Sequence, residues 1–145
     1  MKEISFANHQ APVFTLKNKK VIKLWLEKVM KRYNRTQFEI AYIFSNDEYV
    51  LQINQQFLQH DFYTDIITFD YSTATKIESE IYISIDRVKE NAIQHSSTFK
   101  EELHRVIIHG VLHLCGLKDK TKKQEVEMRN AENDALLLLQ KMLKN

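Results

Sequence analysis

The feature of this sequence that most restricts its fold is an apolar segment, residues 98–120, that contains two histidines. Its hydrophobic residues fall on almost every side of an α-helix, so we expect a helix that is largely buried. His109 and His113 are four residues apart, which places them about 40° apart on one helical face. Two buried imidazoles are costly unless a ligand or a hydrogen bond satisfies them. The segment therefore predicts a core helix that presents two potential metal ligands side by side.

The sequence also indicates where this helix begins and ends. Thr98 is a candidate N-cap, and Glu101 three residues later completes a capping box. Gly116 follows the last apolar residues, where a left-handed residue commonly ends a helix. The next turn brings Asp119, a third possible ligand. Two helical histidines and one carboxylate leave a fourth position for water, which is the arrangement of a catalytic zinc site.

Simpler interpretations of this pattern remain open. A buried histidine is more often hydrogen-bonded than metal-bound, and a pair with this spacing occurs by chance in many helices. The pattern also differs from that of zinc proteases, which carry a glutamate general base directly after the first histidine. That position is Gly110 here, so a protease of this type would lack its base.

Composition and charge narrow the class of protein. At 145 residues we expect one domain, 1–145. The net charge of +2 is too small to indicate nucleic-acid binding by itself. The single cysteine, Cys115, cannot form an intrachain disulfide, which is typical of the reducing cytoplasm. No signal-peptide pattern or membrane-spanning apolar run occurs, so we expect a cytoplasmic protein without a membrane partner.

Apolar periodicity predicts an α+β fold, a small mixed sheet of about four strands packed with about five helices, one of them a zincin-like metal helix. The predicted strands are 1–7, 38–44, 66–71 and 80–85. The other predicted helices are 18–33, 47–58, 86–95 and a last one that opens with a capping box at Thr121 and Gln124. Asn46 and Asp86 are candidate N-caps, and Phe57 is expected to face inward.

The motif HGVLHLCGLKD resembles the signature of the YbeY family of bacterial metal-dependent endoribonucleases, also called rRNA maturation factors. The family pattern is His-Gly-x-Leu-His-Leu-x-Gly-x-Asp-His, and its three histidines bind zinc. The matching residues are His109, Gly110, Leu112, His113, Leu114 and Gly116. The sequence departs from the pattern twice, with Lys118 at the family's aspartate and Asp119 at its third histidine.

Further matches follow the family's order and spacing. The segment YTDIITFD resembles a Pro-Thr-Asp-Val-Leu-Ser-Phe block, and Met128 and Glu132 stand where the family has the same residues. The resemblance implies that Thr64 and Asp65 lie in the cleft, although such residues before a strand often only satisfy turn backbone groups. His60, in the preceding loop, could act as an acid or base or could simply be exposed. No general base is assigned.

One departure concerns RNA cleavage directly. The family carries an arginine thought to be important for cleavage at the position of Leu58, and a leucine cannot hold a phosphate. The nearest candidates to replace it are four lysines beside the metal turn: Lys118, Lys120, Lys122 and Lys123. They could bind an RNA backbone, or they could form an ordinary solvated surface.

The residues alone predict a metal hydrolase, with one divalent ion, zinc as the first choice and Mn²⁺ as an alternative because aspartate is a harder ligand. The resemblance implies an endoribonuclease that cuts single-stranded RNA in ribosomal RNA maturation and small-subunit biogenesis. The implied partners are ribosomal RNA, the small ribosomal subunit and its proteins, without a nucleotide cofactor. One alternative is a largely non-catalytic metal-binding assembly factor, which Leu58 favours. The other is a hydrolase of another substrate, such as a peptide, which Gly110 disfavours.

Overall fold

A computed structural model describes residues 1–12 and 14–144, and within these ranges the chain forms four strands and five helices. The strands are β1 (Lys2–Asn8), β2 (Phe38–Ser45), β3 (Ile66–Asp70) and β4 (Ile77–Ser84). The helices are α1 (Lys19–Arg32), α2 (Asp47–Leu58), α3 (Ile85–Gln94), α4 (Phe99–Leu114) and α5 (Lys122–Lys144). The expected α+β fold is confirmed, and β4 begins three residues earlier than predicted.

The strands form one mixed sheet in the order β1-β2-β4-β3. β1, β2 and β4 are parallel, whereas β3 pairs antiparallel with β4 at the edge. Alternate side chains of the two central strands are fully buried on one face, among them Tyr42 and Ile81, which are register partners. The phenol of Tyr42 donates a hydrogen bond to the carbonyl of Ile107 at 2.8 Å. That bond ties α4 directly onto this face of the sheet.

The other face of the sheet carries a smaller apolar cluster under α2. Val50 and Ile53 of this helix are buried against Ile67 of β3. Phe57 was expected to join them, and that prediction is wrong, since its side chain is 58% exposed. Asn54 is buried instead, and its amide donates to the carbonyl of Phe62 at 2.9 Å. The buried asparagine therefore fastens the loop after α2 at a position where an apolar residue would be usual.

Most of the predicted helix starts are confirmed by their hydrogen bonds. Asn46 accepts from the backbone of Tyr49 at 2.8 Å, and Thr98 accepts from the backbone of Glu101 at 3.1 Å. At α5 both halves of the capping box form, since Thr121 and Gln124 each accept from the other's backbone N–H.

The predicted N-cap of α3, Asp86, is wrong. Ser84 has this role, and its hydroxyl accepts from the backbone of Arg87 at 3.1 Å. The shift arises because β4 runs into α3 without a loop, so the last strand residue is already the cap. Asp86 lies inside the first turn of α3, where its carboxylate accepts from the backbone N–H of Asp47 at 2.9 Å.

Helices α1, α4 and α5 close the main core. Trp25 of α1 is fully buried, and its indole N–H donates to the carbonyl of Ala135 in α5 at 2.7 Å. Together with the bond from Tyr42 to α4, this contact links the sheet and three helices around one set of apolar side chains. None of the helices in the described ranges is long and apolar enough to cross a membrane.

A buried histidine in this core gives a prediction about stability and pH. His104 of α4 packs on Trp25 with ring centroids 6.3 Å apart, and burial, helped by the charge of Lys100, lowers its pKa from 6.5 to about 4. Between these two values the unfolded chain binds a proton here that the folded chain does not. Stability should therefore fall as the pH drops through this window and level off, for this group, below it.

The variant His104→Gln removes this proton uptake. We expect the melting temperature of the variant to change less between pH 7 and pH 4 than that of the unaltered protein. Thermal unfolding followed by circular dichroism at several pH values measures the difference. Parallel curves for the two proteins would contradict the assignment.

Candidate metal centre

Helix α4 holds two histidine side chains at the edge of the core. The rings of His109 and His113 cross at 85° with centroids 4.5 Å apart. Their side chains are 22% and 32% exposed, so both rings reach solvent on one side. The predicted helix is confirmed, and ten of its sixteen residues are buried, which leaves this edge as its open side.

Asp119 approaches both rings from the turn after the helix. Its Oδ2 atom lies 3.4 Å from Nε2 of His109 and 3.3 Å from Nε2 of His113. One ligand atom from each of the three residues lies within 4.8 Å of the others, so the group could hold a metal ion. The Asp119 side chain is 40% exposed, which leaves room for water or substrate at a further coordination position.

The turn that delivers Asp119 depends on Gly116. Its φ of 106° lies in the left-handed region, which a residue with a Cβ rarely adopts. The N–H of Gly116 donates to the carbonyl of His113 at 2.9 Å, and the N–H of Leu117 donates to the carbonyl of Leu112 at 3.1 Å. These two bonds form a Schellman motif, which reverses the chain after α4. The reversal brings Asp119 back over the imidazoles.

The far nitrogen of each ring is held by a hydrogen bond, which orients the ring. Nδ1 of His113 lies 2.9 Å from the carbonyl of Leu117, an atom that can only accept a proton. Nδ1 of His109 lies 2.6 Å from Oε2 of Glu132. With the proton on Nδ1, each neutral ring turns the lone pair of Nε2 towards Asp119. Metal-binding histidines are commonly oriented in this way.

Glu132 reaches this site from α5 and is buried at the junction of the two helices. Its other oxygen accepts from Nη1 of Arg105 at 2.9 Å. Burial would raise the pKa of Glu132, but the hydrogen bonds from His109 and Arg105 outweigh it and hold that pKa below its ordinary value. Burial would also lower the pKa of His109, but Glu132, Asp119 and Asp65 raise it overall. The carboxylate is therefore ionised and fixed beside the ring.

Gly110, the residue after His109, faces the sheet. A Cβ at this position would lie 3.1 Å from Cδ1 of Ile66 and 3.1 Å from Cδ1 of Ile81. Contacts this short require the neighbours to move. The helix therefore lies close to the sheet at Gly110, and this position offers no carboxylate to the candidate metal site.

The structure places the remaining cleft candidates at different sites. His60 is exposed in its loop, where its ring stacks on Phe62 at 5.2 Å. The hydroxyl of Thr64 donates to the carbonyl of Ile66 at 3.3 Å, which is the structural role expected of a turn residue. Asp65 is partly buried beside Asn91, and its charge contributes to the raised pKa of His109. Of these three residues, Asp65 is the one that acts electrostatically on the metal centre.

Positive residues lie on the solvent side of the same centre. All four predicted lysines are exposed: Lys118, Lys120, Lys122 and Lys123. Among them Lys122 lines the cavity that adjoins His109 and Asp119. Arg129 lines that cavity too and was missed in the sequence, as was the contact of Arg105 with Glu132. The one available signal for Arg129 was its position three residues before Glu132 on a helix.

Comparisons with known proteins agree over most of the chain. The profile of the family described as Endoribonuclease YbeY matches residues 3–140. A protein of Porphyromonas gingivalis named Endoribonuclease YbeY is 50% identical over 125 residues, covering 86% of this chain and 83% of the relative. A protein of the same name from Cytophaga hutchinsonii is 53% identical over 129 residues, which cover 88% of this chain and 90% of that relative. A Thermotoga maritima protein solved in solution superimposes with a TM-score of 0.60 at 26% identity, covering 92% of this chain and 89% of that one.

The orientation of His109 can be tested through Glu132. In the metal-free protein, we expect the neutral rings of His109 and His113 to be Nδ1–H tautomers. The variant Glu132→Leu removes the acceptor at His109 and should shift this ring towards the Nε2–H form. His113, which is held by a backbone carbonyl, should not change and serves as the internal control. Long-range ¹H–¹⁵N correlation spectra of the imidazoles measure both tautomers, and an unchanged His109 would contradict the role of Glu132.

Proposed function

The chain belongs to the YbeY family of endoribonucleases, and we propose that it cleaves single-stranded RNA with one divalent metal ion held by His109, His113 and Asp119. The observation that supports this proposal is the convergence of two imidazole Nε2 atoms on one carboxylate oxygen, at 3.4 and 3.3 Å. Bound there, a divalent ion supplies a Lewis acid that activates water and neutralises charge on a phosphodiester. The protein's part is to hold the ligands in place and to leave one side open to RNA.

Zinc is the ion that we propose, because two imidazoles and one carboxylate are a common zinc donor set. A carboxylate in place of the family's third histidine cancels part of the ion's charge. Water at this centre should therefore be less acidic than at a site with three neutral histidines. Mn²⁺ fits the harder carboxylate as well, so the donor set does not restrict the enzyme to zinc.

We propose ribosomal RNA as the substrate, with the small ribosomal subunit and its proteins as partners, in the cytoplasm. Two observations support an RNA substrate: the relatives are named endoribonucleases, and four exposed lysines follow α4 in the chain, one of which, Lys122, lines the cavity beside His109 and Asp119. These lysines would attract a polyanion over a distance comparable to the Debye length. The described part of the chain presents no deep, enclosed pocket at the metal centre that would favour a small substrate.

A second candidate function is a metal-binding assembly factor that binds RNA and cleaves little. It is favoured by Leu58, which stands where the family has an arginine and is a 41% exposed apolar residue at the end of α2. A leucine offers no positive charge to the transition state. The two functions differ in whether metal-dependent cleavage accompanies RNA binding.

The third ligand can be tested by removing its carboxylate. We expect Asp119→Ala to weaken zinc binding by at least about tenfold, because one of three protein ligands is lost. Asp134→Ala, which removes an exposed carboxylate of α5 away from the triad, is the matched control and should bind zinc normally. Competition with a chromophoric chelator measures both affinities. Equal affinities for the two variants would contradict the ligand assignment.

The reaction can be tested with end-labelled single-stranded RNA and zinc-loaded protein. We expect cleavage by the unaltered protein and by His9→Ala, which removes an exposed histidine outside the triad. His113→Ala, which removes a ligand, should reduce cleavage to the level of the metal-free protein. RNA binding without metal-dependent cleavage would reject the nuclease and select the assembly factor.

A further inference from the structure

An open cavity of about 350 Å³ adjoins the metal centre on the side of α5. His109, Asp119 and Glu132 form the wall that it shares with the centre. Lys122, Glu125, Arg129 and Asn130 are the polar residues of its other wall. We call this cavity the α5 groove. A molecule in the groove would lie directly beside a metal ion held by the triad.

The two cations of the groove lie on one face of α5. Lys122 and Arg129 are seven residues apart, which places them about 20° apart around the helix and about 10 Å apart along it. Both are exposed, and Lys122 forms no ion pair with any described residue. Two cations aligned at this separation can each bind a negative group of an extended polyanion.

The guanidinium of Arg129 donates a hydrogen bond to none of the residues in the described ranges. Its contact with Glu132 is 3.8 Å long, beyond hydrogen-bonding distance, and its side chain is 57% exposed. Glu132 already accepts from His109 at 2.6 Å and from Arg105 at 2.9 Å. Arg129 is therefore not needed to neutralise the buried carboxylate. A planar group with five donors in this position suits a phosphate.

We propose that Lys122 and Arg129 form a phosphate-binding subsite that holds the RNA backbone beside the metal centre. The proposal rests on the proposed function. It names two residues of α5 that could supply the positive charge that Leu58, at the family's arginine position, does not supply. Without metal, the lining carries three carboxylates, Asp119, Glu125 and Glu132, against its two cations, and Glu132 is already paired with Arg105. A divalent ion on the triad would add two positive charges and make this lining net positive, so the subsite and the ion would bind the same polyanion together.

The test compares two double variants with the same change of charge. Lys122→Gln with Arg129→Gln alters the groove, whereas Lys141→Gln with Lys144→Gln alters exposed residues at the other end of α5. The probe is a fluorescein-labelled, 2′-O-methylated single-stranded RNA, which resists cleavage. Fluorescence anisotropy at several salt concentrations, with zinc-loaded protein, gives the affinity and its salt dependence. Melting temperatures confirm that both variants fold.

The groove variant should bind roughly tenfold more weakly, and its slope of log affinity against log salt should be less steep by about 1 to 1.5, as expected for two lost phosphate contacts on a single strand. The control variant should keep both values. Equal losses in the two variants, no loss in the groove variant, or no RNA binding by the unaltered protein would overturn the subsite.

A parallel cleavage assay on unmodified RNA separates this proposal from the proposed function. Loss of RNA affinity in the groove variant without cleavage by the unaltered protein would keep the subsite and reject the nuclease. Cleavage by the unaltered protein with an unchanged groove variant would keep the nuclease and overturn the subsite.

Discussion

The buried ion pair and hydrogen bond of Glu132 are the interactions on which the candidate metal centre depends. This carboxylate joins α4 to α5 by accepting from Arg105 and from His109, both of which lie on α4. A buried carboxylate is tolerable only when such partners satisfy it. The same contact that removes the cost of burial also fixes the ring of His109. The contact that packs the two helices together therefore also orients His109, the first of the proposed metal ligands.

Local signals in the sequence were sufficient to predict the elements that carry the site. The spacing of His109 and His113, the N-cap at Thr98 and the glycine at position 116 each act within one or two helical turns, and the structure forms the predicted helix and its turn. The capping box of α5 is equally local. Predictions failed where contacts outside the local pattern decided the outcome. Asn54 is buried and binds the loop after α2 while Phe57 is exposed, and Ser84 caps α3 because β4 continues straight into it.

The α5 groove could not be predicted for a related physical reason. The groove is lined by residues of α4, of the turn after it and of α5. The position of α5 beside α4 depends on contacts between residues distant in sequence, such as that of Trp25 with Ala135. The helical pattern shows that Lys122 and Arg129 lie on one face of α5. It does not show that this face lies across a cavity from His109 and Asp119. The four lysines around the turn were visible as a charge cluster, whereas the placement of one of them in the groove required the structure.

The close packing at Gly110 restricts which chemistries this scaffold could acquire. In a protease of the His-Glu-x-x-His type, this position carries the base. Here any side chain longer than hydrogen would first have to displace Ile66 and Ile81. Changing the glycine to glutamate would require the ends of both isoleucine side chains to shift by a few tenths of an ångström, on the surface where α4 packs on the sheet. A base at this position would therefore be gained at a cost in packing between α4 and the sheet, beside the two histidines.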